Sequence, residues 1–156
     1  MDSEIRTVVT FNSTAFNMVE PKDYFINPSC FGDDVAKWLI DELRKRGVKT
    51  DEQPGQEDFG WYLNFEITGK GHTLLIGHRP TGEREAGTWI GWLERNPGFV
   101  GSIFGGRKRG IQPSAIEAIH RILSSSALIR DVRWHRQRDF DKGYAELGAS
   151  SRQSTL

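Results

Sequence analysis

The sequence predicts a two-layer α+β fold: an antiparallel-dominated sheet of about five strands backed by two helices, in the order β-α-β-β-β-α-β. Three observations predict it. Residues 33–46 carry an apolar stripe of helical period, made by Val35, Ala36, Leu39, Ile40 and Leu43. Residues 61–68 alternate, with Trp61, Leu63, Phe65 and Ile67 facing one way and Tyr62, Asn64 and Glu66 the other. Between residues 61 and 94, strand-like segments follow one another across short turns, which implies antiparallel neighbours. The chain of 156 residues, 37% hydrophobic and 11% aromatic, suffices for one cored domain. That domain is predicted over residues 1–140, with a polar, flexible tail over 141–156.

Taken in order, the first strand falls at Thr7–Phe11, where β-branched residues suit a pleated surface. Residues 12–31 hold Pro21 and Pro28 together with Phe16, Tyr24 and Phe25. They read as an extended arm that packs through its aromatics. The first helix follows over 33–46, with Asp33 and Asp34 in its first turn and Arg44, Lys45 and Arg46 in its last. Both groups suit the helix dipole, and Gly47 stops the helix. Residues 51–60 form an acidic loop. Three strands come next, at 61–68, 72–78 and 88–94, with a turn at Gly69-Lys70-Gly71 and another over 80–87. The last two strands carry apolar side chains on both faces, as central or doubly covered strands do. Residues 95–112 lack a period and carry five glycines. Long connections of this kind are often functional. The second helix is expected over 115–123, opened by a capping box of Ser114 and Glu117 beside Pro113. Leu128–Trp134 reads as the last strand.

Charge is uneven along a chain that sums to zero. Residues 1–60 hold 7 basic and 12 acidic side chains, whereas residues 107–138 hold 8 basic and 2 acidic ones. The overall balance excludes a uniformly basic, histone-like surface and leaves a local basic patch. Arg107, Lys108, Arg109, Arg130, Arg133 and Arg136 are the candidate residues for binding an anion or nucleic acid. Guanidinium groups beside aromatics can clamp phosphate while a ring stacks on a base. On the last strand Asp131, Arg133 and His135 share a face, and Arg130 lies opposite with Val132 and Trp134. The glycine loop lacks the spacing of a nucleotide-binding loop.

The aromatics are the second signal. Trp89 and Trp92 have opposite parity on one strand, so one of them faces away from the core. With Phe99 and Phe104 they are the candidate partner-binding residues, because tryptophan concentrates at interface hot spots. His72 and His78 share a strand face but lie about 20 Å apart at ~3.3 Å per residue. No His/Cys spacing suits a metal, and neither metal nor cofactor is expected. Cys30 makes no internal disulfide, and the N-terminal residues lack a signal-peptide run, which points to the cytoplasm. No apolar stretch approaches the ~20 residues a membrane helix needs.

The expected function is a non-catalytic binding module. It would present a Trp-containing sheet surface and a Gly/Arg-rich loop to a protein partner, in a regulatory, adaptor or toxin-neutralising role. The alternative is nucleic-acid or anionic-ligand binding through residues 107–138. A second alternative is a small enzyme, its site near the 51–60 and 95–112 loops and drawing on Glu57, Asp58 and a histidine.

Overall fold

The computed structural model describes residues 5–17, 20–79, 88–96 and 110–142. Among the described residues, seven strands form one sheet: β1 (Val8–Asn12), β2 (Lys49–Thr50), β3 (Gly55–Glu57), β4 (Gly60–Ile67), β5 (Lys70–Arg79), β6 (Thr88–Arg95) and β7 (Arg130–His135). They run in the order β2-β4-β5-β6-β1-β7, β3 also pairs with β4, and all the pairings are antiparallel. The described residues also form three helices: α1 (Asp33–Lys45), α2 (Pro113–Ser125) and α3 (Gln137–Asp141). No helix among the described residues is long and apolar enough to cross a membrane.

The α+β class stands, with more strands than the sequence predicts. The additions are β2 and β3, short segments without alternation of their own. They exist because β4 offers them an edge, with Thr50 opposite Phe65 and Gln56 opposite Trp61. The central strands follow their double apolar pattern, since β5 lies between β4 and β6, and β6 between β5 and β1.

One face of the sheet carries the main core. Val9, Phe11, Trp61, Leu63, Phe65, Leu74, Ile76, Trp89, Leu93 and Trp134 project from it and pack with the stripes of α1 and α2. The α1 stripe is the predicted one, and α2 buries Ala115, Ile116, Ile119, Ile122 and Leu123. The arm joins the same core: Phe25 packs edge-on to Trp61, Phe16 meets Trp89, and the Tyr24 hydroxyl donates to Asp33. That bond, with burial and the charges of Asp33 and Asp34, pushes the Tyr24 phenol up to about 12.

Two local expectations are corrected. The β4–β5 hairpin turns at Thr68-Gly69, because Ile67 pairs with Lys70 and both turn residues take positive φ, 52° and 76°. Such a two-residue loop matches the twist of its strands. Helix α2 begins at Pro113, with Gln112 as N-cap and no side-chain cap hydrogen bond. Ser114 therefore sits one residue inside the helix, past the capping position. Proline is suited to the first helical position, where its missing N–H costs nothing.

Candidate functional site

Residues of opposite parity form the far face of the sheet, turned away from α1 and α2. The strand registers align them in rows: Tyr62, Leu75, Trp92, Val8 and His135 in one, and Gly77, Ile90, Thr10 and Arg133 in the next. Beyond these lie Arg79, Thr88 and Asn12. Helix α3 lays Phe140 on this face beside Val8 and Ile90 in a second small core. The Phe140 ring stands edge-on to Trp92 at 6.1 Å and meets His135 at 5.4 Å. The Arg79 guanidinium lies over the same ring at 5.2 Å. Arg136 is the N-cap of α3 and Arg138 lies within it, past the end of β7. Arg138 is exposed, and Arg136 lies 3.9 Å from Asp139.

Two clefts open on this face and share Arg79. The first, of about 420 Å³, is lined by Thr10, Asn12, Arg79, Thr88, Asp131, Arg133 and His135, with Phe11. Arg133 donates from Nε to Asp131 at 3.0 Å. Asp131 has φ 57°, at the point where the β1–β7 register shifts between Thr10 and Asn12. Aspartate tolerates this left-handed conformation better than most residues. His135 is 1% exposed, and its Nε2 lies 2.8 Å from the Thr10 hydroxyl. Burial, with Arg6, Arg133 and Arg79 nearby, lowers the His135 pKa to about 4, so its ring is neutral at pH 7.

The second cleft, of about 370 Å³, is more apolar. Phe31, Phe59, Gly60, Gly77, Ile90 and Trp92 line it, with Ser29, Cys30, His78 and Arg79. Gly77 leaves room here for the Trp92 ring. A Cβ on Gly77 would stand 3.0 Å from Cζ3 of the indole. Phe59 is 52% exposed at the edge of this cleft.

The predicted site residues divide. Trp89, read as a partner-binding candidate, is wholly buried and donates from Nε1 to the Ser13 carbonyl at 3.3 Å. It is a core residue, because its parity turns it toward α1 and α2. Trp92, of opposite parity, is half-buried on the far face. Arg133 lines the polar cleft, whereas Arg130 and Arg136 line neither cleft. Phe99, Phe104, Arg107, Lys108 and Arg109 lie outside the described residues. So do most of the 95–112 loop and all but the first residues of the predicted tail.

The histidines have specific partners. His72 is stacked on Phe65, with Nδ1 3.0 Å from the Lys70 carbonyl and Nε2 accepting from the Gln112 N–H at 3.1 Å. His120 Nδ1 accepts from Trp134 Nε1 at 3.0 Å. His78 packs between Phe31 and Trp89, and burial lowers its pKa. Cys30 donates its thiol to the Asp58 carbonyl at 3.4 Å, and burial pushes the thiol pKa up, against thiolate formation. The contacts described for Asp58 run to the arm, through Asn27 and Cys30. Among the described residues, no three His, Cys, Asp or Glu side chains gather where they could hold a metal ion.

No protein-family model, curated protein or solved structure matches the chain.

Sequence reasoning missed Arg79, Phe59, Thr10 and Phe140. The parity of Arg79 with Leu75 and Gly77 was legible. That β1 lies beside β6, and so brings Thr10 and Asn12 to Arg79, was not.

Proposed function

We propose that the chain is a binding module that presents the far face of its sheet to a protein partner. The observation that carries this reading is Trp92. It is a large indole turned away from the main core, beside Gly77 in a cleft whose edge exposes Phe59. A partly exposed indole with apolar neighbours and a guanidinium at its border has the make-up of an interface hot spot. A polar cleft beside the apolar one supplies the mixed chemistry that gives such an interface its orientation. The histidines suit a scaffold: His72, His120 and His135 are each engaged in hydrogen bonds that hold loops, strands and helices together.

The test is native capture from the source cell with the intact chain as bait, followed by mass spectrometry of protein and nucleic acid together. Trp92→Ala and Phe59→Ala are each expected to lose the captured partner while keeping the circular dichroism spectrum of the parent. Lys37→Ala, an exposed change on α1, is expected to retain it. Capture that survives both far-face substitutions would exclude this face, and recovery of nucleic acid in place of protein would favour the basic-stretch alternative.

A further inference from the structure

We infer that the polar cleft on the far face is a binding site for a compact oxyanion, a carboxylate or a phosphate, with Arg79 as its anchor and Arg133 as its second donor. The inference goes beyond the docking reading, since it needs Arg79 and Arg133 and does not need Trp92.

Four observations converge. First, Arg79 pairs with no carboxylate among the described residues. Its guanidinium carbon lies over the Phe140 ring at 5.2 Å, and among the described residues its N–H groups have no hydrogen-bond partner. Second, Arg133 is pre-positioned. Its Nε donates to Asp131, and among the described residues its terminal nitrogens have no partner. Third, the Asn12 amide and the Thr88 hydroxyl line the same cleft and also have no partner among the described residues. Fourth, the lining is net cationic, with two guanidinium groups against the single carboxylate of Asp131. His135 adds no charge at neutral pH. A cleft of about 420 Å³ has room for an acetate, a phosphate or the acidic side chain of a peptide. Forked guanidinium donors match the planar or tetrahedral oxygens of such groups.

Asp131 has a defined part in this arrangement. It orients Arg133 and also opposes the bound anion, so it sets affinity from both sides. Among the lining residues it is the one whose neutralisation should strengthen binding.

The experiment is a titration of the full chain followed by amide-resolved NMR. Inorganic phosphate, acetate and an oligoglutamate peptide are the three probes, and ionic strength is held constant with chloride. Saturable shifts are expected at Thr10, Arg79, Thr88 and Arg133. Arg79→Ala should weaken binding about tenfold, the effect of losing one charge-assisted contact. Arg79→Lys should recover part of that loss, and Asp131→Asn should tighten binding. Trp92→Ala should leave phosphate affinity unchanged. Tighter binding of phosphate than of acetate or peptide would name a phosphorylated ligand as the natural source, and the reverse order an acidic protein segment. The inference is overturned if the shifts do not saturate, if chloride alone reproduces them, or if Arg79→Lys and Asp131→Asn both bind as the parent does. Loss of partner capture in Trp92→Ala alongside a silent anion titration would overturn this inference and leave the docking reading standing.

Discussion

The ring of His72 receives the backbone N–H of Gln112, 40 residues further along the chain, at 3.1 Å. Gln112 is the N-cap of α2, so a fully buried imidazole near the start of β5 anchors the start of a helix. Nδ1 faces the Lys70 carbonyl and Nε2 accepts. The proton therefore sits on Nδ1, and a second proton on Nε2 would break the anchor.

Acid should loosen this anchor. Burial lowers both His72 and His135 from the ordinary 6.5 to about 4. The folded state thus favours the neutral rings, while the unfolded chain protonates near 6.5. The stability from these two groups is complete above about pH 6.5 and is lost as pH falls toward 4. Each group adds a slope of up to about 1.4 kcal/mol per pH unit in that window. Urea unfolding between pH 7 and 4.5 should show it, and His72→Gln should flatten the slope while lowering stability at pH 7. A pH-independent midpoint over this range would refute it.

Trp89→Ala and Trp92→Ala should separate folding from binding. Trp89 is a fully buried core indole, and its truncation should cost about 3–5 kcal/mol. Trp92 packs against Phe140 and Gly77 on the far face and should cost less than half as much. Thermal unfolding of the two variants side by side measures the ranking.

Gly60 should tolerate a side chain far less than Gly47. Both have positive φ, 149° and 82°. A Cβ on Gly60 would meet the Ile76 carbonyl oxygen at 2.8 Å, whereas one on Gly47 would meet nothing within 4 Å. Gly47→Ala should cost about 1–2 kcal/mol of backbone strain alone. Gly60→Ala should cost more, because β4 must shift away from β5, and chemical denaturation should give that order.

Thr73→Val should be costly despite its near-identical shape. The Thr73 hydroxyl donates to Asn64 Oδ1 at 2.6 Å and accepts from Asn96 Nδ2 at 2.8 Å, in a buried network that Asn64 extends to Asp51 at 2.8 Å. A methyl in its place leaves buried polar atoms less satisfied, at about 1–3 kcal/mol. Thr73→Ser, which keeps the hydroxyl, should retain most of the stability. Equal losses in the two variants would show that the methyl, not the hydrogen bonds, matters.

Particular residues show where sequence reading succeeds and where it stops. The α1 stripe and the β4 alternation were legible because each is a period written over neighbouring residues, and period decides which side chains share a face. The opposite parity of Trp89 and Trp92 was legible for the same reason, although which of the two faced the core was not. Alternation put Asn64 on the face of β4 away from Trp61 and Leu63 but could not show that it is 2% exposed, bonded to Thr73 and Asn96 from other segments. The basic stretch 107–138 read as one patch. Within its described part, Arg121 pairs with Glu117 on a helix and Arg133 with Asp131 on a strand, while Arg133 alone of the predicted cations reaches a cleft.

By itself, then, the sequence determined the α+β class, the faces of α1 and β4, and the opposed directions of the two tryptophans. All of these follow from local periodicity and local charge. On β7 the bulge at Asp131 sets Arg130 opposite Asn12, on the face of Arg133 and not across from it as simple alternation predicts. Only the tertiary structure decided that β1 inserts between β6 and β7, bringing Thr10 and Asn12 from one end of the chain to Arg79 in the middle and Arg133 near the other end. It also decided that α3 folds back to set Phe140 beneath Arg79. Pairing between distant strands depends on the burial and hydrogen bonding of the whole sheet at once, and no window of neighbouring residues contains that information.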